Sequence, residues 1–171
     1  SAAGVTMHRA PAPHPEETVQ EKELDIQTAD GAMPTFITHP EEGGPWPVIL
    51  FLMDAPGKRE ELHDMARRIA TVGYYVMLPQ LYYRRTREFV VDGTDESRKA
   101  MFEHMNSLTN AMVMDDCRTL FDYAAGEAAA SKGPAGCVGY CMSGPFAFAA
   151  AAHLAPRMQA SASLHGVRLC I

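Results

Sequence analysis

No stretch of this 171-residue chain approaches the ~20 consecutive apolar residues that a membrane span requires. The opening residues, interrupted by Pro11, Pro13 and Pro15, lack the apolar core of a secretory signal, so residues 1–17 are expected to form a loose arm. Cysteine is sparse. The chain has 4, without paired short spacings, which argues against a disulfide framework or a zinc site and for a reducing compartment, with cytoplasm as the expected location. Positive charge is also short, with 15 Lys and Arg against 21 Asp and Glu, and the net charge of −6 gives no general attraction to nucleic acid. The glycines at 139 and 144 lack the Lys-Ser/Thr pair of a phosphate-binding loop, and no metal or other cofactor is expected.

What remains is a chain with 47% hydrophobic and 21% charged residues, enough for one domain with its own core over residues 18–171. Thr18 to Thr28 and Met33 to His39 alternate around the turn Ala29-Asp30-Gly31-Ala32, which predicts an antiparallel hairpin. Val48 to Met53 is an uninterrupted apolar run, as a strand buried on both faces requires. Leu62, Met65, Ala66 and Ile69 follow the helical period, Gly73 stops them, and Tyr74 to Leu78 reads as the next strand. A polar, arginine-rich loop is expected from Tyr82 to about Arg98, and then a helix carrying Val113, Cys117, Leu120, Phe121 and Ala124 that ends by Gly126. Gly136 to Tyr140 reads as a strand, the segment to about Ala155 as a helix, and Ala160 to His165 as one further strand. Alternating strands and helices predict an α/β fold: a mostly parallel sheet flanked by helices, with the ligand site beyond the carboxyl ends of the strands.

The chemistry concentrates in Gly139-Tyr140-Cys141-Met142-Ser143-Gly144, between that strand and helix. Small residues two before and two after Cys141 are what a sharp strand-to-helix turn needs, and such a turn presents its central side chain as a nucleophile. The Met142 amide, free at the helix start, would donate to a developing oxyanion, with a second amide near Asp54 or Met53. Cys137, inside the strand, and Cys117, on a helical apolar stripe, are expected to be core thiols. Asp115 and Asp116 are expected on a solvated helix face, His63 and Asp64 lack a third ligand, and Arg85 and Arg87 read as solvated loop charges.

These segments resemble the dienelactone hydrolase (carboxymethylenebutenolidase) family of the α/β-hydrolase superfamily. The elbow, Met53-Asp54-Ala55-Pro56-Gly57 and Leu78-Pro79-Gln80-Leu81-Tyr82-Tyr83-Arg84 carry the resemblance, which spans about residues 18–167. It implies a hydrolase that cleaves an ester or lactone through nucleophilic Cys141, with Asp54 where the family usually has Glu and Arg84 binding an anionic substrate. Gln80 stands where an acidic residue is common, and Ser143 where glycine is. The implied partner is a small-molecule ester or lactone. Superfamily triads place the acid and then the histidine after the nucleophile, so both are expected beyond Ile171, and the chain reads as the first two thirds of a longer hydrolase. His153 lies too far along its helix to act as the base, whereas His165, ending a strand beside the site, is expected to line the pocket. The alternative is a non-catalytic α/β-hydrolase-fold protein that binds a partner or ligand through exposed strand edges.

Overall fold

The computed structural model describes residues 18–169; the expected N-terminal arm, Cys170 and Ile171 lie outside the described residues. The hairpin comes first: β1 (Val19–Thr28) and β2 (Gly31–Pro40) pair antiparallel in register, Val19 opposite Pro40 and Thr28 opposite Gly31. The turn closes because Gly31 takes φ of +133°, a conformation that side chains resist.

After the hairpin the chain alternates. β3 (Val48–Leu52), α1 (Glu60–Ala70), β4 (Tyr75–Pro79), α2 (Asp95–Ser107), α3 (Asn110–Ala125), β5 (Ala135–Tyr140), α4 (Gly144–His153) and β6 (Met158–Leu164) follow in order. The six strands form one sheet ordered β1-β2-β4-β3-β5-β6, in which β4, β3, β5 and β6 run parallel and β2 pairs antiparallel with β4. Val48, Leu50, Phe51 and Leu52 of β3 and all of β4 are buried, as expected of central strands covered on both faces.

The strand order fixes where a site can form. From β3 the chain crosses through α1 to β4 on one side; from β4 it returns through α2 and α3 to β5 on the other. Right-handed crossovers in opposite directions put α1 on one face of the sheet and α3 with α4 on the other. The loops leaving the adjacent strands β3 and β5 therefore part to opposite faces, and a crevice opens between them at the carboxyl edge. Those two loops carry Asp54 and Cys141.

Two elements differ from the sequence expectation. Residues 95–107, expected partly as loop and partly as the start of one long helix, form a separate helix α2 that breaks from α3 at Leu108 and Thr109. α2 has no fully buried residue; Met101, Met105 and, at the corner after it, Leu108 pack partly buried against the core, and Thr94 caps the helix by accepting from the Ser97 amide.

Candidate active site

Cys141 ends β5 and begins a single 3-10 turn, Cys141–Ser143, that leads into α4. Its φ is +52°, a left-handed conformation that costs an ordinary side chain about 1–2 kcal/mol. The surroundings hold it there. A Cβ at Gly139 would overlap the Ser143 carbonyl, and one at Gly144 would lie 2.5 Å from Ser163 Oγ and 2.6 Å from the Gly166 Cα. The turn thus depends on bare backbone on both sides of the cysteine. Its thiol is partly exposed, whereas Cys117 and Cys137 are buried and their thiols are pushed up by burial, Cys137 to about 12.

The turn is tied to its neighbours by hydroxyls whose partners the sequence did not reveal. Ser143, fully buried, donates its hydroxyl to the Met53 carbonyl, joining the elbow to the loop after β3. Tyr82, also buried, donates to the Ala55 carbonyl at 2.8 Å and lies 3.2 Å from Met142 Sδ. Burial, and then the charges of Asp54 and Cys141, push the Tyr82 phenol up, keeping its proton in place as a donor. The Val167 amide donates to the Cys141 carbonyl at 3.1 Å, so the loop after β6 also holds the turn. The Met142 amide belongs to the first turn of this helical segment, whose leading N–H groups have no intrahelical partner.

Asp54 follows β3 across the crevice, but its carboxylate faces Arg59. The guanidinium grips both oxygens, Nη1 to Oδ1 at 2.6 Å and Nη2 to Oδ2 at 3.0 Å, and Nη1 also reaches the Gly57 carbonyl at 2.9 Å. The hydrogen bond to Asp54 raises the Arg59 pKa, and burial opposes it. The tight turn Asp54-Ala55-Pro56-Gly57, closed by Gly57 N–H to the Asp54 carbonyl at 3.1 Å, sets this reach. A cavity of about 590 Å³ lies beyond this pair, between the hairpin and α1, bordered by Lys58, Arg59, His63, Gln80 and Arg87. It is larger than the cavity at the elbow, but no elbow residue lines it.

Arg84 follows β4, as the resemblance requires, and donates through all three guanidinium nitrogens. Nη1 and Nη2 meet Asp116 at 2.9 and 2.8 Å, Nε meets Asp30 at 2.7 Å, and the group lies over the Tyr83 ring. Burial alone would lower its pKa; the bonds to Asp116 and Asp30 raise it by more. Asp116 corrects the sequence expectation: it is 1% exposed and also accepts from Tyr83 at 2.9 Å, whereas Asp115 is exposed as expected. Helical periodicity does not reveal a charge whose partner arrives from a distant loop. Arg87 pairs with Asp25, and Arg85 donates to His104 Nδ1. His165 sits exposed at the end of β6 with φ of +40°, its ring 6.1 Å from that of Tyr140. His153 is exposed in the last turn of α4. Among the described residues no helix is long and apolar enough to cross a membrane.

The profile of the dienelactone hydrolase family matches residues 33–170, which contain every residue discussed at the elbow and the crevice. A curated relative from Methylorubrum extorquens, named "Putative carboxymethylenebutenolidase", is 31% identical over 144 residues, covering 84% of this chain and 48% of that protein. One of the same name from Yersinia pestis is 28% identical, covering 84% of this chain and 52% of its own. The chain thus spans about half the length of the curated relatives it matches. A solved structure from Klebsiella pneumoniae, named "Putative Dienelactone Hydrolase", superposes with a TM-score of 0.72 at 22% identity over 87% of this chain and 60% of that one. The cysteine elbow, the crevice between β3 and β5 and the match over most of the chain lead to one assignment: the chain belongs to the dienelactone hydrolase family.

Proposed function

We propose that this chain carries the nucleophile, and part of the oxyanion hole, of a thiol-dependent ester or lactone hydrolase. The observation that supports this best is Cys141 itself, held at φ of +52° between β5 and α4 at the mouth of the crevice. A buried filler thiol has no use for that strain, whereas a nucleophile that must stand clear of the sheet does. In the proposed reaction the Cys141 thiolate attacks the substrate carbonyl and a C–S bond forms. The oxyanion takes hydrogen bonds from the Met142 amide and from an amide of the Met53–Asp54 segment. Collapse breaks the C–O bond and releases the alcohol, protonated by the base that took the thiol proton. Water then hydrolyses the thioester, returning the thiol and releasing the acid.

In superfamily order the acid and the histidine follow the nucleophile, and both are assigned beyond Ile171. His165, at the neighbouring strand end, is assigned to the wall of the crevice and not to proton transfer. Support for a hydrolase comes from the family and from the names of the relatives; the role of each side chain is carried by the geometry alone. Replacing Cys141 with alanine is expected to abolish both ester turnover by the whole protein and stoichiometric acylation of this chain by an activated ester. Intact mass after incubation with 4-nitrophenyl acetate checks the second, and an adduct of equal yield in the alanine variant sinks the assignment.

A further inference from the structure

A cavity of about 250 Å³ opens beside the elbow, on the side of the sheet occupied by α3 and α4, and its wall is largely apolar. Met105 and Leu108 form one side, at the end of α2 and the corner after it; Met142, Pro145 and Phe146 of the elbow form the other, with Val167 from the loop after β6. Its polar members, Asn110 and Arg168, are exposed, and Arg168 turns one nitrogen to Asn106 Oδ1 at 2.9 Å. Met142 and Pro145 are one and four residues from Cys141, and the Val167 amide is bonded to the Cys141 carbonyl. A group attached to a carbonyl at the thiol is therefore within reach of this cavity.

Two of the cationic side chains that follow the strands are already engaged with carboxylates, and Arg168, at the rim of this cavity, is bonded to Asn106 Oδ1. Arg84 is held by Asp116 and Asp30, and Arg59 by Asp54. A substrate carboxylate would have to break a buried bidentate pair to reach Arg84, which costs more than an exposed contact returns. Apolar surface is what the cavity offers, and its two methionines can adjust around an irregular or flexible chain.

Resting on the thiol-hydrolase reading above, we infer that this cavity is the acyl-chain pocket. The preferred substrates are then neutral esters with a short-to-medium apolar acyl group, and Leu108 and Met105 set the chain length accepted. Transfer of each methylene into such a pocket is worth about fourfold, so a few methylenes give a readily measured preference.

The test follows acyl transfer to Cys141 by intact mass and so needs no turnover. In the wild-type chain 4-nitrophenyl hexanoate is expected to acylate Cys141 at least tenfold faster than the acetate. Leu108→Trp, which fills the cavity, is expected to lower that preference about tenfold, and Leu108→Ala to move the optimum toward octanoate. Leu108 is partly buried at a helix corner, so should the tryptophan variant fail to fold, the alanine variant carries the test. If the hexanoate preference is absent, or is the same in every folded Leu108 variant, while Cys141 still acylates, the pocket inference is overturned and the nucleophile reading stands. The half-ester of adipic acid reacting faster than the hexanoate would overturn the neutral-substrate inference in favour of an anionic one. Absence of adducts from all of these esters would overturn the thiol-hydrolase reading, and this inference with it.

Discussion

At the scale of single residues the elbow stores strain where chemistry is proposed, and that strain can be measured. Cys141 is at φ of +52°, and the backbone cannot relax because Gly139 and Gly144 are packed against the Ser143 carbonyl, Ser163 and Gly166. Glycine tolerates this conformation and alanine does not, so the two substitutions separate strain from loss of the thiol. Cys141→Gly is expected to be about 1 kcal/mol more stable than Cys141→Ala, after the extra backbone entropy of glycine in the unfolded chain offsets part of the relief. Urea denaturation midpoints of the two variants check this; equal midpoints would mean that the turn is relaxed and that its shape is no mark of function. The cysteine and its small neighbours were legible in the sequence because a steric requirement restricts residue type at fixed offsets. The hydroxyls of Ser143 and Tyr82, which tie the elbow to the β3 loop, were not. A hydrogen bond to a backbone carbonyl on another strand leaves no mark on local pattern.

At the scale of elements, two polar clusters fasten the hairpin and helices to the sheet. His63 on α1 stacks on Phe36 of β2 with ring centroids 4.1 Å apart; its Nδ1 meets Glu60 Oε2 at 3.1 Å, and its Nε2 is buried without a partner among the described residues. Burial, and then the charge of Lys58, lower its pKa, against the smaller opposing effects of Glu60 and of Glu23, which is paired with Lys58. The folded state therefore prefers neutral His63. Above the unfolded value, near 6.5, both states are neutral and stability is full; as pH falls below that value the unfolded chain takes up the proton first and stability drops. The urea midpoint is expected to fall between pH 7.5 and 5.5, and His63→Phe, which keeps the stack, is expected to flatten that fall. The same fall in the variant would place the acid sensitivity elsewhere.

The second cluster joins three elements: Arg84 after β4, Asp116 on α3 and Asp30 in the hairpin turn. Arg84→Met leaves the Asp116 carboxylate buried without its partner, for an expected loss of about 3 kcal/mol, whereas Arg84→Met with Asp116→Leu is expected to recover more than half. Denaturation of the single and double variants measures the coupling, and additive losses would mean that the pair holds nothing together. The amphipathic α1 and the buried β3 and β4 could be read from sequence because one period governed each. α2 was not separated from α3, since only Met101, Met105 and Leu108 pack partly buried against the core amid mostly exposed residues, and Asp116 was misplaced because its partners lie more than thirty positions away.

At the scale of the whole molecule, the sheet has two unlike edges. β1 carries Glu21, Lys22, Glu23 and Asp25, charges that discourage another strand from pairing along it. β6 reads Met-Gln-Ala-Ser-Ala-Ser-Leu, without a charge or a proline, and its Ala160, Ala162 and Leu164 are exposed on the face opposite α4. On the other face Phe148 of α4 is 54% exposed, and Val167 and Leu169 after the strand are 39% and 47% exposed. An uncharged edge beside exposed apolar side chains is a template for strand addition, whether by further sheet of a longer polypeptide or by a second molecule. The 171-residue chain alone is therefore expected to self-associate, eluting well above 18.7 kDa in size-exclusion chromatography with light scattering. Ala162→Lys, which puts a charge midway along β6, is expected to shift it toward the monomer without changing acylation of Cys141. The corresponding charge on the already charged edge, Gln27→Lys on β1, should leave association unchanged. If both variants associate as the parent does, strand pairing at β6 is not the cause. If the parent is itself a monomer, the open edge is tolerated in water, and the exposed apolar side chains beside it are too few to drive assembly.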